Sequence, residues 1–444
     1  MKTYKIEIKL NKEQEQVYKL NVSACRFIYN LYIQKNEEAY KNREKFIGAY
    51  TFSKWFNNEY ITHNLDKLWL KQASSKAIQR TMVNCESAYR KFFGNVNHKP
   101  KFKKASTDKT GYYFVRTRKN ILIKHQRNKI KIPCMGWVTF KEMNYLPKSS
   151  VIVSGVIIKR ADRFFVVLST EDVTKKDNKN QNEGIGIDLG IKTFMTCSNG
   201  FSFNNINKSK QVKKLEKSIK RQQRALSRKY MIHKINKEMT WSNYNKNKLK
   251  IEKLHYRLQC IRHGYINKCI DKIIDEKPNY IVLEHLNLQG MRKNKHIARA
   301  LCNANFYYTK QKIIEKATKH NIEIREVNKV YPSSKTCCKC GSIKKDLTLK
   351  DRIYKCSNCN NEIDRDLNAS INLKNAEEYT ILNETTGGLP ESNAYGLHSN
   401  LLVVRNNESM QDEIRKSIKV IDNINFSWNN IDDRLLNEEM DVII

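Results

Sequence analysis

The sequence predicts a mixed α/β protein, with a small β-barrel or sheet and a helical part in its first half and a buried-strand α/β part in its second. Three observations point there. Period-two strand patterns occupy residues 1–10 and 111–170, whereas residues 11–95 carry helical spacing. Two β-branched apolar runs, IGIDLG at 185–190 and IVLEHLN at 281–287, read as buried strands, each closing on an acid, Asp188 or Glu284. Four cysteines between 337 and 359 stand directly before DRDLN at 364–368, where Asp366 opens a helical segment, DLNASINL.

Taken in order, YKIEIKL alternates as a strand, and the helical pattern after it sets Val17, Leu20, Ala24, Phe27 and Leu31 on one face. A second helix near 73–93 puts Ile78, Met82, Cys85, Tyr89 and Phe92 on one side and Lys76, Arg80 and Asn84 on another. Such a basic face is either solvated or turned to a nucleic-acid backbone. The basic run KPKFKK at 99–104 follows, with Lys101, Lys103 and Lys104 around one aromatic, and then the strand-like pieces GYYFVRT, ILIKH, KIKIP, VIVSGVIIK and RFFVVLS. The polar stretch 171–184 marks the main domain boundary. Beyond it, residues 208–276 form a lysine-rich helical pattern broken near 240–247, with Leu215, Ile219, Leu226, Leu249, Leu254, Leu258 and Ile261 as apolar contacts.

Charge narrows the partner. Of 444 residues, 83 are Lys or Arg and 45 Asp or Glu, a formal net charge of +38. Residues 375–444 hold 13 acids and 5 bases, which leaves a net +46 on the rest of the chain. A polyanion is required, and nucleic acid is the economical choice, since the basic residues are spread over hundreds of positions rather than packed into one membrane-surface helix. The acidic tail is expected to be a mobile appendage, a weakly ordered cover over a basic groove, or plainly disordered. No apolar stretch approaches the ~20 residues of a membrane span, and MKTYKIEIKLNK lacks a signal-peptide core, so a cytoplasmic location is expected. Twelve cysteines scattered in this way suit a reducing compartment.

Cys337, Cys340, Cys356 and Cys359 make a C-x2-C-x15-C-x2-C pattern, two knuckles that bring four thiolates to a structural tetrahedral Zn²⁺; Cys338 breaks the spacing and is a bystander. Each acid has a plain alternative. Asp188, between Gly186 and Gly190, suits a turn; Glu284 suits a strand-end surface acid, and Asp366 suits a helix N-cap. Read together, three converging carboxylates in so basic a chain suit two Mg²⁺ that activate water against a phosphodiester. Asp364 would orient neighbours or pair with Arg352 or Arg365, and Asn368 would be a further ligand or a donor behind the ligands.

GIDLGIKTFMTCSNG at 186–200, YIVLEHLNLQGM at 280–291 and the cysteine segment at 333–373 resemble the three RuvC motifs and inserted zinc ribbon of the TnpB family, the transposon-encoded (IS200/IS605 type) relatives of Cas12 nucleases. ACRFIYN at 24–30, AYRKFFG at 88–94 and GGLPESNAYG at 387–396 resemble its other landmarks. The resemblance implies a bilobed protein: a wedge β-barrel over 1–10 and 96–170, a helical recognition insertion over 11–95, a linker at 171–184, an RNase H-like RuvC domain over 185–331 and 361–374, a zinc ribbon at 332–360, and the tail from 375. It implies an RNA-guided DNA endonuclease whose guide derives from the transposon end, cutting double-stranded DNA beside a short target-adjacent motif. Asp188, Glu284 and Asp366 would be the catalytic Mg²⁺ ligands, with Lys76 and Arg80 near that motif. His285 departs from the acid or Asn common in relatives. A miniature Cas12f-like CRISPR effector and a non-cleaving RNA-guided binder are the alternatives, the latter disfavoured because all three acids are present.

Overall fold

The computed structural model describes residues 2–105, 111–116, 123–171, 182–235, 241–344, 346–348 and 351–383. These fall into two compact units, one within 2–171 and one within 182–383.

In the first unit, β1 (Lys2–Lys9) leads into the helices α1 (Lys12–Lys41), α2 (Ala49–Trp55), α3 (Ile61–His63) and α4 (Ser75–Phe93). Six strands follow: β2 (Tyr112–Val115), β3 (His125–Gln126), β4 (Lys129–Ile132), β5 (Gly136–Phe140), β6 (Ile152–Arg160) and β7 (Arg163–Thr170). They form one antiparallel sheet, ordered β2-β6-β7-β1-β5-β4-β3, so the first strand of the chain lies at its centre between β7 and β5. Of the predicted strand ILIKH, residues 121 and 122 lie outside the described residues, and its last residue, His125, begins β3.

Asn11 starts α1 by accepting from the Gln14 amide, while the Gln14 side chain accepts from Asn11 N, a reciprocal cap. The predicted apolar face of α1 is only part of its buried surface. Tyr18 and Cys25 enter the sheet core, and Ala24, Ile28, Leu31 and Tyr32 enter a second core with Phe52, Met82 and Tyr89. A helix that serves two cores is buried over a wider arc than a single stripe. The face expected for α4 is as read: Ile78, Met82, Cys85 and Tyr89 are buried.

The second unit contains β8 (Ile185–Leu189), β9 (Thr193–Cys197) and β10 (Ser202–Asn204), then α5 (Lys210–Ile235) and α6 (Ser242–Asp275). There follow β11 (Tyr280–Glu284), α7 (Leu288–Arg292), α8 (Lys295–Ala304), α9 (Phe306–Lys319), β12 (Glu323–Val327), β13 (Ile353–Lys355), β14 (Glu362–Asp364), α10 (Arg365–Lys374) and β15 (Thr380–Ile381). The main sheet runs β10-β9-β8-β11-β12-β15, with β8, β11 and β12 parallel. Parallel strands are covered on both faces, hence their near-continuous apolar sequence. Ile185, Ile187, Ile281, Leu283 and Ile324 meet Ile270, Ile273 and Ile313 on one face; Val282 and Val327 meet Leu373 of α10 on the other. α5 and α6 pack through Val212, Leu215, Ile219 and Leu258, while Leu226 and Leu249 are half-buried; the break at 236–240 lies outside the described residues.

Two elements run past expected boundaries. The four-cysteine segment does not end at 360, because β14 pairs with β13 and carries its hairpin to Asp364. The tail does not begin at 375, since Ala376 is buried and β15 adds to the sheet edge against Arg325 and Glu326. From 384 onward, including GGLPESNAYG, the chain lies outside the described residues, as do 172–181 of the expected linker. No helix among the described residues is long and apolar enough to cross a membrane.

Candidate active site

In the parallel pair of β8 and β11, Ile187 lies beside Leu283, so the next residues, Asp188 and Glu284, stand side by side at the carboxyl ends of the strands. Period-two alternation places both on the α10 face, with Gly186 and Val282. Asp366 is in the first turn of α10. That helix lies directly on β8: a Cβ at Gly186 would fall 2.0 Å from Ser370 O and 2.5 Å from Lys374 N. Only glycine admits so close an approach, and the approach brings Asp366 near enough for Asp188 to feel its charge.

The electrostatics record this convergence. Burial pushes the Asp188 carboxyl up to about 7, the negative charges of Asp366 and Glu284 add to the rise, and Arg365 opposes it. Glu284 is also raised by burial, with His285 pulling the other way.

Asp366 is not the helix cap. Asp364 is, accepting from Asp366 N at 2.9 Å and Leu367 N at 3.1 Å. The Asp366 carboxylate is thus left to project, 3.4 Å from the Arg365 guanidinium, which also donates to Thr348 O at 3.3 Å. Nor is Asn368 a further ligand. It is fully buried, its amide donating to Thr336 O at 2.7 Å and accepting from Cys338 N at 3.0 Å, so it fastens α10 to the first cysteine knuckle. On the other face of the sheet, Glu326 is buried beside Lys310 and His285, whose Nδ1 is 3.2 Å from the Glu326 carboxylate.

Cys337, Cys340, Cys356 and Cys359 hold their sulfurs within 4.8 Å of one another. Cys337 and Cys359 are 3.6 Å apart, as are Cys340 and Cys356. A tetrahedron with Zn–S bonds of ~2.3 Å has edges of about 3.8 Å, so the cluster fits a structural zinc site. Cys338 stands apart from the four, as its spacing implied.

The basic residues of the first unit do not form one set. Lys76 is exposed on α4 with Nζ 3.1 Å from Gln79 Oε1, and the Arg80 guanidinium lies 5.6 Å from the Tyr113 ring centre. Lys101 and Lys104 are exposed. Lys103 is tied to α1: its backbone brackets the Asn30 amide and its ammonium sits 4.0 Å from the Tyr29 ring centre.

Sequence reasoning missed Gly186 and Asn368 as the parts that assemble the centre. The small residue two before Asp188 was the available signal for the first; a buried amide has none.

Three family profiles match successive parts of the chain: a helix-turn-helix domain of OrfB_IS605 at 1–45, OrfB_IS605, described as "Probable transposase", at 165–295, and the Cas12f1-like TNB domain at 306–373. The chain carries OrfB_IS605 domains of the TnpB family. Its relatives include the Escherichia coli K12 protein named "Putative RNA-guided DNA endonuclease InsQ", 22% identical across 84% of this chain and 91% of that one. A Streptomyces pristinaespiralis protein named "Putative RNA-guided DNA endonuclease" is 23% identical across 81% of this chain and 85% of that one. Among solved structures, Cas12f1 in its sgRNA–target DNA complex covers 82% of each chain at 18% identity and a TM-score of 0.51, so this chain has a Cas12f-like mixed α/β fold. Residues 1–45, matched by the helix-turn-helix profile, here form β1 and the single long helix α1.

Proposed function

We propose that this chain is an RNA-guided DNA endonuclease that cleaves double-stranded DNA beside a short target-adjacent motif, using a guide RNA from its transposon end. The observation that carries the reading is the meeting of Asp188, Glu284 and Asp366 on one face of the sheet. The order of β10-β9-β8-β11-β12 fits an RNase H-like RuvC domain, and the seven-stranded sheet fits the wedge domain, with α1–α4 as the recognition part. The names of the relatives agree with this activity.

Hard oxygen donors suit Mg²⁺, because divalent charge would offset the burial and the neighbouring acids that raise the Asp188 carboxyl. Bound there, two Mg²⁺ would supply a water activated toward phosphorus and stabilise the departing oxygen. Asp188 and Glu284 are held by the sheet register. Asp366 is aimed by the Asp364 cap and steadied by Arg365, while Asn368 keeps its helix locked to the zinc-binding segment. Sequence reading then falls to guide pairing, and basic side chains such as Lys76, Arg80, Lys101 and Lys104 hold phosphates; Lys103 acts mainly as a fastener of its own segment.

The test is to express the chain with its flanking DNA, sequence the RNA that co-purifies, and offer the complex a matching plasmid. Guide-dependent cutting with Mg²⁺ and none with EDTA is expected. Absence of both bound RNA and guided cutting overturns the reading, and RNA from a CRISPR repeat would assign the chain to that context instead.

A further inference from the structure

At the margin of the helical core, α1 presents Arg26, Phe27 and Asn30, with Phe27 packed against that core. Tyr60, Lys67 and Trp69 face it, and together they line an open cavity of about 550 Å³. That size is within the ~300–1,000 Å³ of small-ligand sites. Its aromatic wall is continuous: the Phe27 ring centre is 6.2 Å from Trp69, edge to face, and 6.4 Å from Tyr60. Lys67 Nζ lies 5.9 Å from the Phe27 centre and also pairs with Asp66 at 2.5 Å. All three rings are half-buried, so each keeps surface toward the cavity.

The three rings also pack against the aromatic helical core, so what marks the site is its open space and its charge. It combines π faces with two cations in a strongly basic chain. We propose that it is a binding site for one unpaired nucleotide, its base stacked on Trp69 and Phe27 and its phosphate beside Arg26 and Lys67. The proposal rests on the reading of the chain as a nucleic-acid protein, but uses none of the residues of the carboxylate centre. Asn30 does not read the base, because both ends of its amide are spent on the Lys103 backbone, at 3.1 and 2.8 Å. Gln34 and Ser23, which also line the cavity, are engaged with Glu38 and Arg26, so recognition rests on ring face and charge: tolerant of base identity, intolerant of pairing.

Binding of a labelled uridine hexamer, a deoxythymidine hexamer and a short blunt RNA duplex to the full chain, stripped of nucleic acid, is measured by fluorescence anisotropy. Trp69→Ala should weaken hexamer binding by about tenfold, Trp69→Phe should restore most of it, and duplex binding should stay unchanged. Arg26→Ala should weaken hexamer binding and flatten its salt dependence. Preference for the uridine hexamer assigns the site to guide RNA, and preference for the deoxythymidine hexamer to a DNA strand. Hexamer binding by Trp69→Ala equal to wild type, or an equal loss on the duplex, overturns the proposal. A wild-type dimer that Trp69→Ala converts to monomer, with hexamer binding intact, makes the cavity a protein interface and also overturns it. If the wild type binds duplex but no hexamer, the site alone is refuted; if it binds neither, the nucleic-acid reading falls too.

Discussion

Gly186 of β8 and Ser370 of α10 stand so close that a methyl group on the glycine would come within 2.0 Å of the serine carbonyl oxygen. Both neighbours are backbone, which cannot swing aside. Gly186→Ala should therefore force α10 off the sheet, costing about 3 kcal/mol or more in stability and displacing Asp366. Thermal unfolding together with Mg²⁺ titration checks it; an alanine variant with wild-type melting temperature and metal affinity would mean the contact is not as close as it stands here.

Asp188 gives a pH signature in metal-free protein. Its carboxyl is raised from 3.8 to about 7, by burial first and then by Asp366 and Glu284, so the folded state holds a proton that the unfolded state releases. Between those values the folded chain binds more protons, and stability falls as pH rises. Asp188→Asn should melt higher than wild type at pH 8 in EDTA and match it near pH 3, below both values. Adding Mg²⁺ at pH 8 should raise the melting temperature of the wild type and leave that of the variant unmoved.

Asn368 separates architecture from chemistry. Asn368→Ala leaves Cys338 N without its buried partner, while Thr336 O keeps a second donor in the Asn372 amide, and should cost roughly 1–3 kcal/mol, with zinc still bound. Cys356→Ser should instead lose the metal, measured as zinc per chain, and lower the folded yield. An Asn368→Ala variant of full stability would return the residue to the list of ligand candidates.

Glu326, buried on the opposite face, depends on Lys310. Lys310→Met should destabilise by about 2–4 kcal/mol, with His285 covering part of the loss, and Glu326→Gln in the same chain should recover much of it. A double-mutant cycle in urea reads the coupling; strictly additive effects would show that the pair does not hold the strand.

Much of this protein is legible in one dimension. The apolar runs ending at Asp188 and Glu284 became adjacent parallel strands because runs buried on both faces are written as continuous β-branched sequence. The cysteine spacing gave the metal cluster because two knuckles of fixed length leave few other arrangements. The face of α1 was read too narrowly, since periodicity reports one stripe and Tyr18, Ile28 and Tyr32 answer to two cores at once. The plain alternative for Asp366, a helix N-cap, falls to Asp364 instead, because two acids two residues apart are indistinguishable until the helix start is fixed. The groove at Trp69 had no signature, as its walls come together only through tertiary packing.

The short strand β15 bears on how this protein can be trimmed. By pairing with Arg325 and Glu326 it shields the outer edge of β12, and the Arg325 guanidinium is clasped between the rings of Tyr280 and Tyr379, 3.7 and 4.3 Å from their centres. A compact variant cut at 375, where the charge changes sign, would bare a strand edge and invite sticking between molecules. The same cut made after Asn383, whose side chain closes on Ile322 and Ile324, would keep the edge sealed and discard only the acidic remainder.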